Sequence, residues 1–204
     1  TLDRAFLALD STKYDGFRKI AKALGNPIPC KIVDNGPCKE VIKTGEEIDL
    51  NKIPVLWHHV KDSHHFIIAT NCIVKDPDTG VRNNSIHRMA VIDKDKLGIF
   101  INVPMHLRVV IKKYLERGQP CPIVIAVGTD PAILCCASSK IPYDMDELEF
   151  AGGVRGEPVE MVKCEKIDLD VPATSELVIE GEIMPGDEEG YVGKAVYVDE
   201  GPFG

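Results

Sequence analysis

The spacing of apolar positions changes period several times along the chain, and each change marks an element. Residues 2–24 carry helical spacing, with Leu2, Phe6 and Leu7, then Phe17, Ile20, Ala21 and Leu24, and Gly25 as a stop. From Pro27 to Leu56 prolines and glycines break the pattern. There "KEVIKTGEEIDL" (39–50) reads as a strand followed by an ordered loop. The chain then becomes β. "HFIIATNCIVK" (65–75) and "SIHRMAVID" (85–93) flank "DPDTG", whose Pro, Asp and Gly suit a hairpin connection, and "LGIFINV" (97–103) is a third strand.

A helix is expected over 104–117. Pro104 suits its first turn, Leu107, Val110, Ile111 and Leu115 share a face, and Gly118 ends it. "CPIVIAVG" (121–128) is a continuous apolar strand. "TDPAILCCASS" supplies a cap, a first-turn proline and a short helix. A second short helix covers 145–152, and the last third returns to strands at "EMVKCEK", "ELVIEGEI" and "YVGKAVYVD". Together these predict an α+β, mainly β, fold: an antiparallel split β-barrel or curled sheet with crossing helices and a short helical N-terminal extension.

Charge and composition narrow the function. The 204 residues carry a formal net charge of −8, the opposite of what a phosphate-tracking nucleic-acid binder needs. No apolar run approaches the roughly 20 residues of a membrane helix. Seven cysteines, an odd number without a CxxC pair, argue against a disulfide framework or zinc ribbon and point to a reducing compartment, the cytoplasm. Neither GxGxxG nor GxxxxGK[ST] occurs, so a nucleotide phosphate must be held by other means.

Three polar clusters are candidates for chemistry. "HHVKDSHH" (58–65) is metal-like in composition, but neighbouring histidines on a strand point to opposite faces, and the flanking Lys61, Asp62 and Ser63 favour a solvated loop. "RNNSIHR" (82–88) crowds polar groups into the entry of a buried strand. In a regular strand Asn83, Ser85 and His87 share one face, while Asn84, Ile86 and Arg88 share the other. Two readings fit: the asparagines simply end a hairpin and Arg88 pairs with a neighbouring carboxylate, or the stretch is a site wall. The third cluster is dispersed: His106 on a helix first turn, where orphan N–H groups favour anions, Glu147 on the short helix, and Glu200 in "DEGPFG".

Taken in order, "N-x-S-I-x-R", a strand, "P-x-H-L-R" opening a helix, "VGTDPAIL", "ELEFAGGVRGEPVEMVKCEKIDLDVPATSELVIEGEI" and "EGPFG" resemble the UbiD family of decarboxylases from about Gly25 to the last residue. The resemblance implies a flavin-reductase-like split barrel that binds prenylated FMN, supplied by a partner flavin prenyltransferase, with a divalent metal (typically Mn2+) and K+ at the phosphate. By residue, it implies metal ligation by Asn83, His106 and Glu147. It implies a catalytic Arg88 that orients the substrate carboxylate and a paired Glu200. Ser85, Ile86 and Met105 would line the cofactor, and Ser138 and Ser139 of "SSKIP" would stand near K+. The implied reaction joins the unsaturated bond of an aromatic or α,β-unsaturated acid to the flavin ring and releases CO2, in either direction.

The resemblance also implies missing parts. Family members carry a further glutamate directly after "EGPFG", a preceding domain of which residues 1–24 would be the helical tail, and a C-terminal domain. Residues 25–204 are thus expected to be the cofactor-binding domain of a longer or split homo-oligomeric enzyme or to work with a companion chain. Arg88 and Asn83 lie on opposite faces of a regular strand, so a bulge is expected within 82–86. The alternatives are an ordinary FMN-dependent flavin reductase-like oxidoreductase and a non-catalytic assembly subunit.

Overall fold

A computed structural model describes residues 2–12, 14–99, 101 and 105–186. Its main sheet has five antiparallel strands in the order β4-β3-β2-β5-β8: β2 (Phe66–Lys75), β3 (Arg82–Asp93), β4 (Lys96–Ile99), β5 (Cys121–Val127) and β8 (Leu177–Ile183). It curls into a half-barrel. A small second sheet, β1-β6-β7, joins β1 (Lys31–Ile32) in parallel to β6 (Glu160–Lys163), and β6 antiparallel to β7 (Asp170–Pro172).

Strand alternation gives the sheet two apolar faces. Cys72, Val74, Met89, Ile123, Ile125 and Ile183 meet Leu107, Val110 and Ile111 of helix α3 (His106–Glu116). On the other face Ile73, Val124 and Ala126 meet α4 (Pro131–Ala137), α5 (Glu147–Arg155) and the small sheet, with Phe150 and Met161 fully buried among them. Helix α4 starts at the expected cap, and α5 starts at a cap of its own. Asp130 accepts from Ala132 N at 2.7 Å, and Asp146 accepts from Leu148 N at 2.7 Å.

The N-terminal run is two helices, α1 (Leu2–Ala8) and α2 (Gly16–Leu24). The chain reverses at Asp10 (φ 48°), and Phe6 then meets Phe17 edge-on at 5.1 Å. Little of the predicted apolar face is buried: Phe6 is covered, whereas Leu7, Phe17 and Leu24 are exposed. Helix α2 crosses α5 where Gly153 stands. A Cβ there would lie 2.7 Å from Asn26 O, so only glycine permits that approach.

Two further expectations are corrected. Residues 39–50 contain no strand. They hold 3₁₀ turns at Gly45–Glu47 and Leu50–Lys52, and Val41 and Ile42 are exposed, so the apolar pair there has no sheet to join. Nor is there a bulge within 82–86. Pairing with β2 is regular from Lys75↔Arg82 to Thr70↔His87. The irregularity lies on the partner strand, between Ile67 and Thr70, where Ala69 adopts φ 54°. The strand expected over 97–103 is described from Lys96 to Ile99 as β4, and "YVGKAVYVD" and Glu200 lie outside the described residues.

Candidate active site

Strand β4 pairs only with Met89–Asp93 of β3. On that side the 82–88 half of β3 has no strand partner among the described residues, so a main-chain N–H there needs another acceptor. Asn84 N donates to Glu147 Oε2 at 2.8 Å, and Asn83 Nδ2 donates to Glu147 Oε1 at 3.0 Å. Asn83 Oδ1 accepts from Ser85 Oγ at 3.3 Å, and His87 Nε2 lies 3.2 Å from the same hydroxyl. Asn83, Ser85 and His87 therefore share the α3 face of the sheet, as alternation predicts, and all three are buried. The polar crowd is the lining of an open sheet edge.

Glu147 is only 3% exposed. It occupies the first turn of α5, which Asp146 caps, and Asp146 is itself gripped by Arg82 (Nε to Oδ2, 2.7 Å). Burial pushes the Glu147 carboxyl up to about 7, against the pull of the Asn84 and Glu147 main-chain N–H groups. The Asp146 charge adds to the rise, and the Asn83 amide opposes it. The ion pairs among the described residues do not reach Glu147. Arg82 on β3 and Arg155 at the end of α5 pair with Asp146, Asp170, Asp130 and Glu157 instead. A buried carboxylate that shares an amide and lacks a cation is a donor set suited to a hard metal ion.

His106 opens α3, half-buried, after an extended Met105 (φ −128°, ψ 143°) that is 37% exposed. Among the described residues no hydrogen bond or ion pair joins it to Glu147 directly. Its ring meets Tyr143 edge-on at 5.1 Å, and Tyr143 stands four residues before Glu147. Arg88 is exposed on the opposite face from Asn83, with its guanidinium 5.5 Å from the centre of the Phe66 ring. Ile86 is half-buried on that same face. Ser138 and Ser139 are exposed at the end of α4, where both hydroxyls donate to Cys135 O (2.8 and 3.0 Å). They finish a helix and do not touch the Asn83–Glu147 pair.

The histidine-rich stretch behaves as a loop. His58 Nε2 lies 3.1 Å from Phe66 O, and His65 Nδ1 3.1 Å from Val55 O. No cluster of three His, Cys, Asp or Glu side chains able to hold a metal occurs among the described residues. Of Asn83, His106 and Glu147, only two are side chains of those types. The seven cysteines are free thiols. Burial pushes Cys72, Cys121 and Cys136 up to about 12, which keeps them protonated and inert. No helix among the described residues is long and apolar enough to cross a membrane.

Sequence reasoning missed several groups around the pair. Thr129 Oγ1 donates to Asn71 Oδ1 (2.6 Å) and Asn71 Nδ2 to Asn84 Oδ1 (3.1 Å), which pins Asn84 from the far side of the sheet. Asp146 could have been found, since D-x-x-E before an apolar run is a capping-box pattern. Asp76, Lys113 and Tyr143 could not, because their meeting depends on tertiary packing.

Comparison with known proteins decides the family. The description "3-octaprenyl-4-hydroxybenzoate carboxy-lyase Rift-related domain" of UbiD matches residues 31–204. The chain belongs to the UbiD family. It is 37% identical over 203 residues to anhydromevalonate phosphate decarboxylase of Methanothermobacter thermautotrophicus, covering 100% of this chain and 44% of that protein. Against the Methanosarcina mazei protein of the same name it is 38% identical, covering 85% and 37%. It thus spans less than half the length of these curated relatives. Among solved structures, the UbiD-class enzyme HmfF from Pelotomaculum thermopropionicum in complex with FMN superposes with a TM-score of 0.84 at 43% identity, covering 88% of this chain and 41% of that one. An evolved dimeric form of HmfF with prFMN gives 0.86 at 41%, covering 90% and 43%. The UbiD-class half-barrel is therefore the fold of this chain.

Proposed function

We propose that this chain is the cofactor-binding region of a UbiD-class carboxy-lyase. The reaction is the non-oxidative decarboxylation, or reverse carboxylation, of an aromatic or α,β-unsaturated acid with prenylated FMN. The observation that carries the reading is the buried Glu147 carboxylate, shared with Asn83 and Asn84 on a sheet edge that, among the described residues, has neither a strand partner nor a cation paired with that carboxylate. Asn83 and Glu147 would supply hard oxygen ligands, and His106, at the N-terminus of α3, an imidazole. Mn2+ accepts all three donor types, while K+ would sit nearby. The cation would neutralise a flavin phosphate that a chain of charge −8 would otherwise repel.

When bound, the prenylated flavin supplies a reversible covalent partner and electron sink for the substrate. The protein's own part is orientation. Asn83 and Arg88 are five positions apart, about 17 Å along an extended strand, and both border the unpaired half of β3. A flavin lying along that edge would meet the amide at its phosphate end and the guanidinium at its ring end. Arg88, resting on Phe66 and exposed, is free to take a substrate carboxylate in bidentate hydrogen bonds. Glu200 would pair with it. Residues 1–24 would be the tail of a preceding domain. A flavin prenyltransferase would supply the cofactor, and a second copy or companion chain would complete the substrate pocket.

Purified protein co-expressed with a flavin prenyltransferase tests the reading. It should take up flavin with the absorbance of the prenylated form in a Mn2+-dependent manner, and Asn83→Ala and Glu147→Gln should each abolish that dependence. Uptake of ordinary FMN alone would instead indicate the flavin reductase-like activity. Flavin binding indifferent to Mn2+ and to both substitutions would overturn the metal assignment.

A further inference from the structure

Three ligands from three elements form one cation site only if something sets the distance between α3, which carries His106, and the start of α5, which carries Glu147. Tyr143 touches both. It lies in the segment between α4 and α5, with its ring edge-on to His106 at 5.1 Å and its backbone four residues ahead of Glu147. Lys113 is seven residues after His106, two helical turns along the same face of α3, and its Nζ lies 5.3 Å from the centre of the same ring. One aromatic ring therefore spans both ends of that face.

The ring is held from below. Tyr143 Oη donates a short hydrogen bond to Asp76 Oδ2, and Lys113 Nζ donates to the same oxygen at 2.6 Å. Asp76 is 2% exposed, at the first position of the β2–β3 connection. Its other oxygen accepts from Asp78 N at 2.8 Å, and its main chain exchanges bonds with Val81 and Gly80. The connection thus presents one carboxylate, fixed by its own turn, to a lysine of α3 and a phenol of the α4–α5 segment. Tyr114 Oη to Lys75 O (3.1 Å) ties α3 to the same hairpin a second time. A surface ion pair would need none of this burial, and a core tyrosine would not need to meet a histidine at a helix start.

We infer that Tyr143, held by Asp76 and Lys113, is the positioning residue that brings the His106 imidazole into register with the Asn83–Glu147 pair. This rests on the metal reading above, and its test separates the two. The ring itself does the positioning, and the hydroxyl fixes the ring. Tyr143→Phe keeps the surface against His106 and frees the ring from Asp76. Tyr143→Leu removes the surface.

The probes are Mn2+ and FMN with the purified protein. Mn2+-dependent FMN affinity is read by flavin fluorescence, and imidazole coordination by the ¹⁴N modulation of the Mn2+ electron spin echo. Tyr143→Leu should lose the nitrogen modulation and weaken Mn2+-dependent FMN binding roughly tenfold or more, the usual loss when a residue that orients a metal ligand is removed. Tyr143→Phe should keep the modulation and weaken binding only a few-fold. Lys113→Met should resemble Tyr143→Phe. His106→Ala serves as the reference for lost modulation, and Asn83→Ala and Glu147→Gln as references for lost metal.

If those three references change nothing, the metal reading fails, and this inference with it. If they behave as expected while Tyr143→Leu keeps full modulation and affinity, the site stands and the positioning role is overturned. Should Tyr143→Leu fail to fold, Tyr143→Phe and Lys113→Met decide. A few-fold loss in each, with circular dichroism showing both variants fully folded at the assay temperature, supports the role, and wild-type affinity in both overturns it.

Discussion

Asp146 sits where stability and the site meet, and replacing it tests how α5 is aimed. Its Oδ1 caps the helix through Leu148 N (2.7 Å) and Glu149 N (3.4 Å), while Oδ2 takes Arg82 Nε at 2.7 Å, with the side chain only 9% exposed. Asp146→Ala removes the cap, a cost of about 1 kcal/mol. It also leaves the Arg82 guanidinium, 14% exposed, with Asp170 alone at 3.5 Å. Breaking a fully buried pair costs roughly 3–5 kcal/mol, and the surviving Asp170 contact reduces that to about 2 kcal/mol here. The total is about 3 kcal/mol. Asp146→Asn keeps an equally good cap and should lose only the ionic part, about 2 kcal/mol.

Urea unfolding followed by circular dichroism at pH 7 measures both variants, with an unchanged slope m certifying that only stability moved. A cycle with Arg82→Met isolates the pair. In that background Asp146→Ala should cost little more than the cap, giving a coupling of about 1.5–2 kcal/mol. Additive costs, within the roughly 0.5 kcal/mol expected of independent sites, would refute the claim that the Arg82–Asp146 bond aims the helix start. Equal losses for the Ala and Asn variants would instead refute the cap's share of the cost.

Three further outcomes are expected. Arg88→Ala in the complete enzyme should lower decarboxylation by at least about 10²–10³-fold, the usual loss on removing a charge-stabilising donor, and leave the melting temperature unchanged because Arg88 is exposed; surviving activity would refute its role. Burial pushes the Asp76 carboxyl up, but hydrogen bonds from Lys113, Tyr143 and Asp78 N outweigh it and hold the group down at about 2. Its folded value lies below its unfolded one, so its stability contribution is full above pH 4 and lost as pH falls through 2. The melting-temperature gap between wild type and Asp76→Asn should close over that window, and a gap constant with pH would refute the assignment. Ala69→Gly, at φ 54° on an exposed bulge, should stabilise the protein by about 0.5–1 kcal/mol, since alanine pays roughly 1–2 kcal/mol in that region and glycine returns part of it as unfolded-chain entropy. Destabilisation would show that the Ala69 methyl packs.

The parts of this fold that could be read from the chain are those where one local signal decides. Asp130 and Pro131 start α4, Gly118 follows α3, and "DPDTG" turns β2 into β3. Alternation placed Asn83, Ser85 and His87 on one face correctly. What escaped reading was decided by partners distant in sequence. The bulge belongs to β2, where "FIIATN" carries no glycine to mark Ala69, and it was expected on β3 because only β3 held the residues that needed explaining. The parallel pair Lys31↔Glu160 is two residues long, too short for any period. Asp76 reads as an ordinary turn residue until α3 and Tyr143 are folded onto it.

The open half of β3 explains why polar groups gather where a core begins. Had β4 paired along the whole strand, a backbone carbonyl would have taken the Asn84 N–H, and Asn83 would have faced a closed sheet. Because pairing with β4 among the described residues stops at Met89, that N–H is handed to a carboxylate, and the carboxylate is brought from a helix on the other side of the sheet. A buried carboxylate at such an edge repels phosphate, as does the chain's net charge of −8. If the flavin proposed above lies along this edge, a cation between carboxylate and phosphate would reconcile the two. The same edge would then call for a metal and would offer the Asn83 amide and the Glu147 carboxylate to hold it.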